Sequence, residues 1–229
     1  MVRKGSRGAV VGAVIADVAV AGIVLMVGMD ARRPADEVRE AGRLLAKGDA
    51  AAAAQRLRGV LAEGPWSTAR EADVRHLLGR ALVAAGDRKG AVDEWLAVLR
   101  LDAAAPPEPL MGPDEFEAAA EAALAELPQD LLDRLGNVAV LVADQPSPEM
   151  VAGGLDPRVL GLYHGVPLAK RSVSFGAPYA DTIHLFRLNL ERVCASRAEL
   201  AARIRLVVLH ETAHFFGYSE AQLRAMGLA

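Results

Sequence analysis

His210-Glu211-Thr212-Ala213-His214 sets two imidazoles four residues apart with an acid between them. On a helix these positions share a face, so His210 and His214 can hold one metal ion together. Glu211 falls on a neighbouring face, where it can act as general base toward a metal-activated water. With five histidines in 229 residues, fewer than about one shuffled chain in a hundred would carry this pattern. The plainer reading is two helix-face histidines paired to nearby carboxylates. Gly217 and Glu220 follow closely.

The apolar run Leu206-Val207-Val208-Leu209 leads into the motif, and the pattern predicts a helix from about Arg197 to Phe216. Upstream, Val138-Ala139-Val140-Leu141-Val142 is a buried-strand pattern, and Val159–Tyr163 and Thr182–Leu188 are two further strand candidates. Asp144 to Pro157 is dense in Pro, Gly and Asp and reads as loop. Pro113–Leu127 and Pro128–Leu135 read as helices separated by Pro128. A few strands beside one long helix make a compact α+β unit.

Before it lies a different kind of sequence. From Pro34 to about Pro107 the chain is rich in Ala, Leu and Arg, with helical periodicity. Two blocks align about 38 residues apart, a solenoid-range period: Gly48-Asp49 with Gly86-Asp87, Ala53 with Ala91, Leu57 with Trp95, Val60 with Val98. Gly64-Pro65-Trp66-Ser67 marks the turn between them, with Ser67 or Thr68 capping the next helix. Leu78-Gly79, Ala91 and Trp95 resemble tetratricopeptide repeats, which implies a surface for a protein partner. Two units fall short of the three such arrays usually need, and a helical spacer is the alternative. Ala103-Ala104-Ala105-Pro106-Pro107-Glu108-Pro109 ends the periodicity. The organisation expected is therefore 1–33 hydrophobic segment, 34–105 helical repeats and 106–229 α+β domain.

At the N-terminus Arg3, Lys4 and Arg7 precede an apolar stretch from Ala9 to Met29, closed by Asp30, Arg32 and Arg33. It is long enough to span a bilayer. Its Val, Ile and Leu residues favour insertion by roughly 3 to 6 kcal/mol, and Asp17 opposes it by about 3. A single-pass anchor with a cytoplasmic N-terminus is favoured, and an Ala/Val-rich helix buried in a soluble cytoplasmic protein is the alternative. A net charge of -3 from 26 basic and 29 acidic residues gives no nucleic-acid surface. Cys194, the one cysteine, excludes an internal disulfide and a cysteine zinc cluster, and reads as a small buried residue rather than a catalytic thiol. His76 reads as an ordinary helix-surface or interface residue, and His164 and His184 as structural histidines, with His184 also a candidate for lining a cleft.

The last hundred residues resemble a family of small bacterial zincin-like metallopeptidases, often described as minimal matrix-metalloprotease-like. The resemblance rests on Leu127–Leu135 (LPQDLLDRL), Asn137–Val142 (NVAVLV), Pro146–Glu149 (PSPE), Leu160–Leu168 (LGLYHGVPL), Asp181–Phe186 (DTIHLF) and the His-Glu motif. It implies one Zn2+ held by His210, His214 and Glu220, with Glu211 as catalytic base, and hydrolysis of a peptide or protein substrate. The family motif ends H-E-x-x-H-x-x-G-x-x-D, whereas position 220 here is Glu, one methylene longer, and position 215 is Phe where many members carry a third His. Gly217 can end the helix in the left-handed conformation and turn the chain back toward the ion. Glu220 has a second reading: Ser219 and Gln222 form a capping box, and an acid at the first helical position suits the helix dipole. Two rivals to the peptidase stand: a weakly active or inactive zincin-like assembly protein that recruits a partner through its repeats, and a non-proteolytic zinc hydrolase.

Overall fold

The computed structural model describes residues 32–136, 138–166, 168 and 181–226. The apolar stretch 9–29 lies outside them. Among the described residues no helix is long and apolar enough to cross a membrane. These residues are mostly helical, with a small three-stranded sheet in the C-terminal part. They divide into two compact units. Pro109–Asp144 and Val159–Ala229 form one; the helices ending at Glu108, together with Gln145–Arg158, form the other.

The helical unit is two hairpins, α1 (Arg32–Ala46) with α2 (Ala50–Ala62) and α3 (Thr68–Ala84) with α4 (Arg88–Ala104). The same turn closes both. Gly48 and Gly86 take φ of 87° and 86°, a left-handed geometry open to glycine at no steric cost. Asp49 N and Asp87 N then donate back to Leu44 O and Leu82 O, each at 2.9 Å. Each aspartate next caps the following helix, accepting from Ala52 N at 3.2 Å and from Gly90 N at 2.9 Å. The 38-residue offset read from sequence is thus a repeated turn. Ala41, Ala53, Leu57, Val74, Leu78 and Ala81 fill the core between the helices. At Gly79 an added Cβ would overlap the Trp95 indole, so the glycine is what lets α3 and α4 close on each other. Ser67 caps α3 through Arg70 N, and Trp66 Nε1 donates to Val60 O at 3.0 Å to pin the turn between hairpins.

Gln145–Arg158, from the stretch expected as loop within the C-terminal domain, joins this helical unit. It contains a short helix, α7 (Pro148–Ala152), started by Ser147 accepting from Met150 N and by Pro148 at the first helical position. Val151 packs fully buried against Trp95 and Leu99. His76 Nε2 lies 2.7 and 2.9 Å from the two oxygens of Asp156. Arg158 forks onto Asp102 with two bonds of 2.8 Å and reaches Asp73 at 2.7 Å. The neighbouring carboxylates hold its guanidinium more firmly protonated than usual, against the opposing effect of burial, which is the largest influence.

The second unit opens with α5 (Pro113–Ala125) and α6 (Gln129–Leu135) and continues through β1 (Ala139–Ala143) and β2 (Gly161–His164). β3 (Thr182–Phe186), α8 (Arg187–Arg192), α9 (Arg197–Phe216) and α10 (Glu220–Ala225) complete it. The sheet order is β1-β3-β2, with β3 parallel to β1 and antiparallel to β2. Ile183 and Leu185 face the core with Phe116, Leu200, Ile204, Val207 and Phe215. The expected strand 182–188 ends at Phe186, where Arg187 bonds Asp144 and Leu188 N donates to Asp144 O, turning the chain into α8.

Asp102 is 1 % exposed, so removing Arg158 takes two charge-assisted bonds from a buried carboxylate. Arg158→Met is expected to destabilise the protein by about 3 to 5 kcal/mol, and Arg158→Met with Asp102→Leu to recover most of that loss. Urea unfolding of the three proteins measures both effects; equal stability of Arg158→Met and wild type refutes the account.

Candidate metal centre

α9 starts at Ser196, whose hydroxyl accepts from Glu199 N at 3.2 Å, while Glu199 reaches back to Ala195 N at 2.8 Å. Leu200, Ile204, Val207 and Val208 then bury one face of it. The last two turns differ, because His210 through Phe215 are buried without interruption. Polar side chains enclosed at such a helix end are costly unless they meet partners.

Gly217 ends α9 at φ 92° and ψ 13°. Tyr218 N donates to Ala213 O at 3.1 Å and Gly217 N to His214 O at 3.0 Å, the paired bonds of a Schellman motif. The reversed chain enters α10, where Gln222 Oε1 accepts from Ser219 N at 2.8 Å. Glu220 therefore occupies the first position of a helix and also turns its carboxylate onto the histidines. The helix-start reading and closeness to the histidines are thus compatible in one residue.

His210 Nε2 lies 2.9 Å from His214 Nε2. Glu220 Oε1 is 3.1 Å from His214 Nε2 and 3.5 Å from His210 Nε2. A tetrahedral zinc with bonds near 2.0–2.1 Å needs donors roughly 3.3–3.4 Å apart. Two imidazole nitrogens and a carboxylate oxygen at these separations fit that ion. Three protein donors are also the number used by catalytic rather than structural zinc. His214 Nδ1 is 3.0 Å from Tyr218 O; donating there leaves the Nε2 lone pair directed at the cluster.

Glu211 is 2 % exposed, and its Oε2 accepts from Tyr163 N of β2 at 2.7 Å. Burial pushes its carboxyl up to about 8, the Tyr163 amide works against the rise, and Glu220 adds to it. Gly161 makes this approach possible, since a Cβ there would lie 2.6 Å from Val207 Cγ1 and 3.2 Å from Glu211 Cγ. A glycine inside a strand pattern signals close backbone approach, and that signal was present in Gly161-Leu162-Tyr163 although the role of Tyr163 was missed.

The other candidates stand apart. His184 shares its sheet face with Thr182 and Phe186, while Ile183 and Leu185 face the core containing α9. Burial, and then the nearby His164, push its imidazole down. Cys194 is half-buried, and burial and then Glu199 raise its thiol, the reverse of an activated nucleophile.

Residues 135–228 match the family model described as zincin-like metallopeptidase. The C-terminal part of the chain is similar to that family over those residues. No curated protein matches the chain. The match spans the sheet, α9 and Glu220, so the cluster falls inside it.

The carboxyl of Glu211, raised from 4.5 to about 8, keeps its proton in the folded metal-free domain where the unfolded chain would release it. Stability of the metal-free protein should therefore fall as pH rises from about 4.5 to about 8. Glu211→Gln removes that dependence. At pH 7 the metal-free variant should be more stable than wild type by on the order of 1–3 kcal/mol, with no difference below the lower limit of that range. Thermal unfolding in chelator across this pH range reads the effect, and parallel curves would refute it.

Proposed function

We propose that the zincin-like domain is a zinc-dependent peptidase, with His210, His214 and Glu220 as ligands and Glu211 as general base. The observation that carries this reading is the convergence of His210 Nε2, His214 Nε2 and Glu220 Oε1 beside a buried Glu211. Zinc supplies a Lewis acid that acidifies water and polarises a carbonyl. Glu211 Oε2 is fixed by the Tyr163 amide, which leaves Oε1 to take a proton from the attacking water. The same carboxyl then delivers the proton to the leaving amine. A carboxyl whose basicity burial has raised toward neutrality suits both transfers. His214, oriented through Tyr218 O, keeps a fixed tautomer throughout.

Wild type should bind zinc stoichiometrically and cleave unstructured peptide. Glu211→Gln should keep the zinc and lose activity by about 100-fold or more. His210→Ala should lose both. Zinc-free wild-type protein, or cleavage that survives Glu211→Gln, sinks the reading.

The helical unit supports an accompanying role. Its repeated Gly-Asp turns and the Gly79–Trp95 contact favour a tetratricopeptide-like pair of hairpins, a form suited to holding a peptide segment or a partner. In this reading residues 9–29 anchor the protein to a membrane. Fractionation of the full-length chain beside a chain starting at Pro34 tests the anchor: the first should pellet with membranes and the second should not. A soluble full-length chain ends that part of the reading.

A further inference from the structure

Tyr163 does more at this site than lend a backbone amide. Its N–H donates to Glu211 Oε2 at 2.7 Å, and its hydroxyl donates to Asp181 Oδ1, also at 2.7 Å. Its ring meets Phe215 of α9 edge-on, with centroids 5.9 Å apart, and the residue is 3 % exposed. One tyrosine thus joins the acid of the His-Glu motif, an aspartate before β3 and the helix that carries both histidines. Asp181 is itself tied down, because its carbonyl accepts from Ala139 N at 3.2 Å. Gly165 leaves the space the pair needs: a Cβ there would strike the Asp181 carboxylate and come within 2.5 Å of the Tyr163 hydroxyl.

We propose that Asp181 and Tyr163 are positioning residues for Glu211. The inference rests on the reading of Glu211 as general base. A base transfers protons efficiently only when its oxygen is already in place, and displacement by about 1 Å can cost about 100-fold in rate. Glutamate has three side-chain torsions to fix. The Tyr163 amide fixes one oxygen, but β2 is a four-residue strand paired on one side among the described residues, so its amide shifts unless the strand is held. The hydroxyl bond to Asp181 and the ring contact with Phe215 hold it at two further points. The acid thereby acts on the site through the strand, without touching substrate.

The test uses the full chain loaded with zinc and compares Tyr163→Phe, Asp181→Ala and Asp181→Asn. Tyr163→Phe and Asp181→Ala should each lower kcat by about 10- to 100-fold with KM and zinc content unchanged. The double variant should be no worse than either. Asp181→Asn keeps an acceptor oxygen and should retain most of the rate. An independent readout is hydrogen exchange of the Tyr163 amide, followed by NMR. It should quicken in Tyr163→Phe, in Asp181→Ala and in Glu211→Ala, while the Ile183 amide stays protected. Unchanged Tyr163 exchange, or Asp181→Asn as damaging as Asp181→Ala, overturns the proposal. Because exchange needs no substrate, it decides the positioning claim even if wild type cleaves nothing. Unchanged exchange alongside cleavage abolished by Glu211→Gln would remove the positioning pair and leave the peptidase reading intact.

Discussion

The C-terminal unit is organised around a buried carboxylate pressed against a strand. Glu211 stands buried on a helix packed into the apolar core, and desolvation of an acid is costly. One backbone N–H, that of Tyr163, meets it. Reaching that amide requires β2 and α9 to approach more closely than side chains normally allow, which the missing Cβ of Gly161 permits. Among the described residues β2 is the outer strand beside β3, and its Tyr163 amide meets the acid. An aliphatic residue at position 211 would suit the core better. Its absence there is the kind of local conflict that marks a functional position rather than a stabilising one.

The second constraint is the reversal at Gly217. A helix carrying two imidazoles on its last two turns can meet a third polar group from the following chain only if the chain comes straight back. The left-handed glycine and the two bonds of its Schellman motif accomplish this in three residues. Glu220 then has two stabilising relations at once, with the positive end of α10 and with the imidazoles. The extra methylene relative to aspartate does not keep its oxygen from the cluster, since Oε1 reaches both Nε2 atoms within 3.5 Å.

Local chemistry was legible in the sequence, and long-range chemistry was not. The span of α9, its end at Gly217, the caps Ser67 and Ser219 and the repeated Gly-Asp turns all depend on neighbours within a few residues. The partners of Tyr163 lie 18 and 48 positions away and the partner of His76 lies 80 away, distances over which no periodicity runs. Pro146-Ser147-Pro148-Glu149 carried a helix-start signal in Ser147 and Pro148, hidden among residues that also signal loop. The alternation that ran through Leu188 was real as a pattern. It failed as a strand because Asp144 captures Arg187 and the Leu188 amide.

The network around Arg158 fixes the last segment of the helical unit. Buried ion pairs seldom add net stability over apolar residues of similar size, so Arg158, Asp102 and Asp73 are better understood as defining one seat for Gln145–Arg158. Arg158 is the last residue of the helical unit and Val159 the first of the other. Beyond it, Val159 O accepts from Asn189 Nδ2 at 2.7 Å, and Leu160 O from Phe186 N at 3.0 Å. Val159 and Leu160 are therefore both held before Gly161 begins β2. A register shift of one residue would replace Gly161 with a side chain and carry the Tyr163 amide away from Glu211. The anchored residues before β2 thus protect the one strand position at which the acid of the motif can be accommodated.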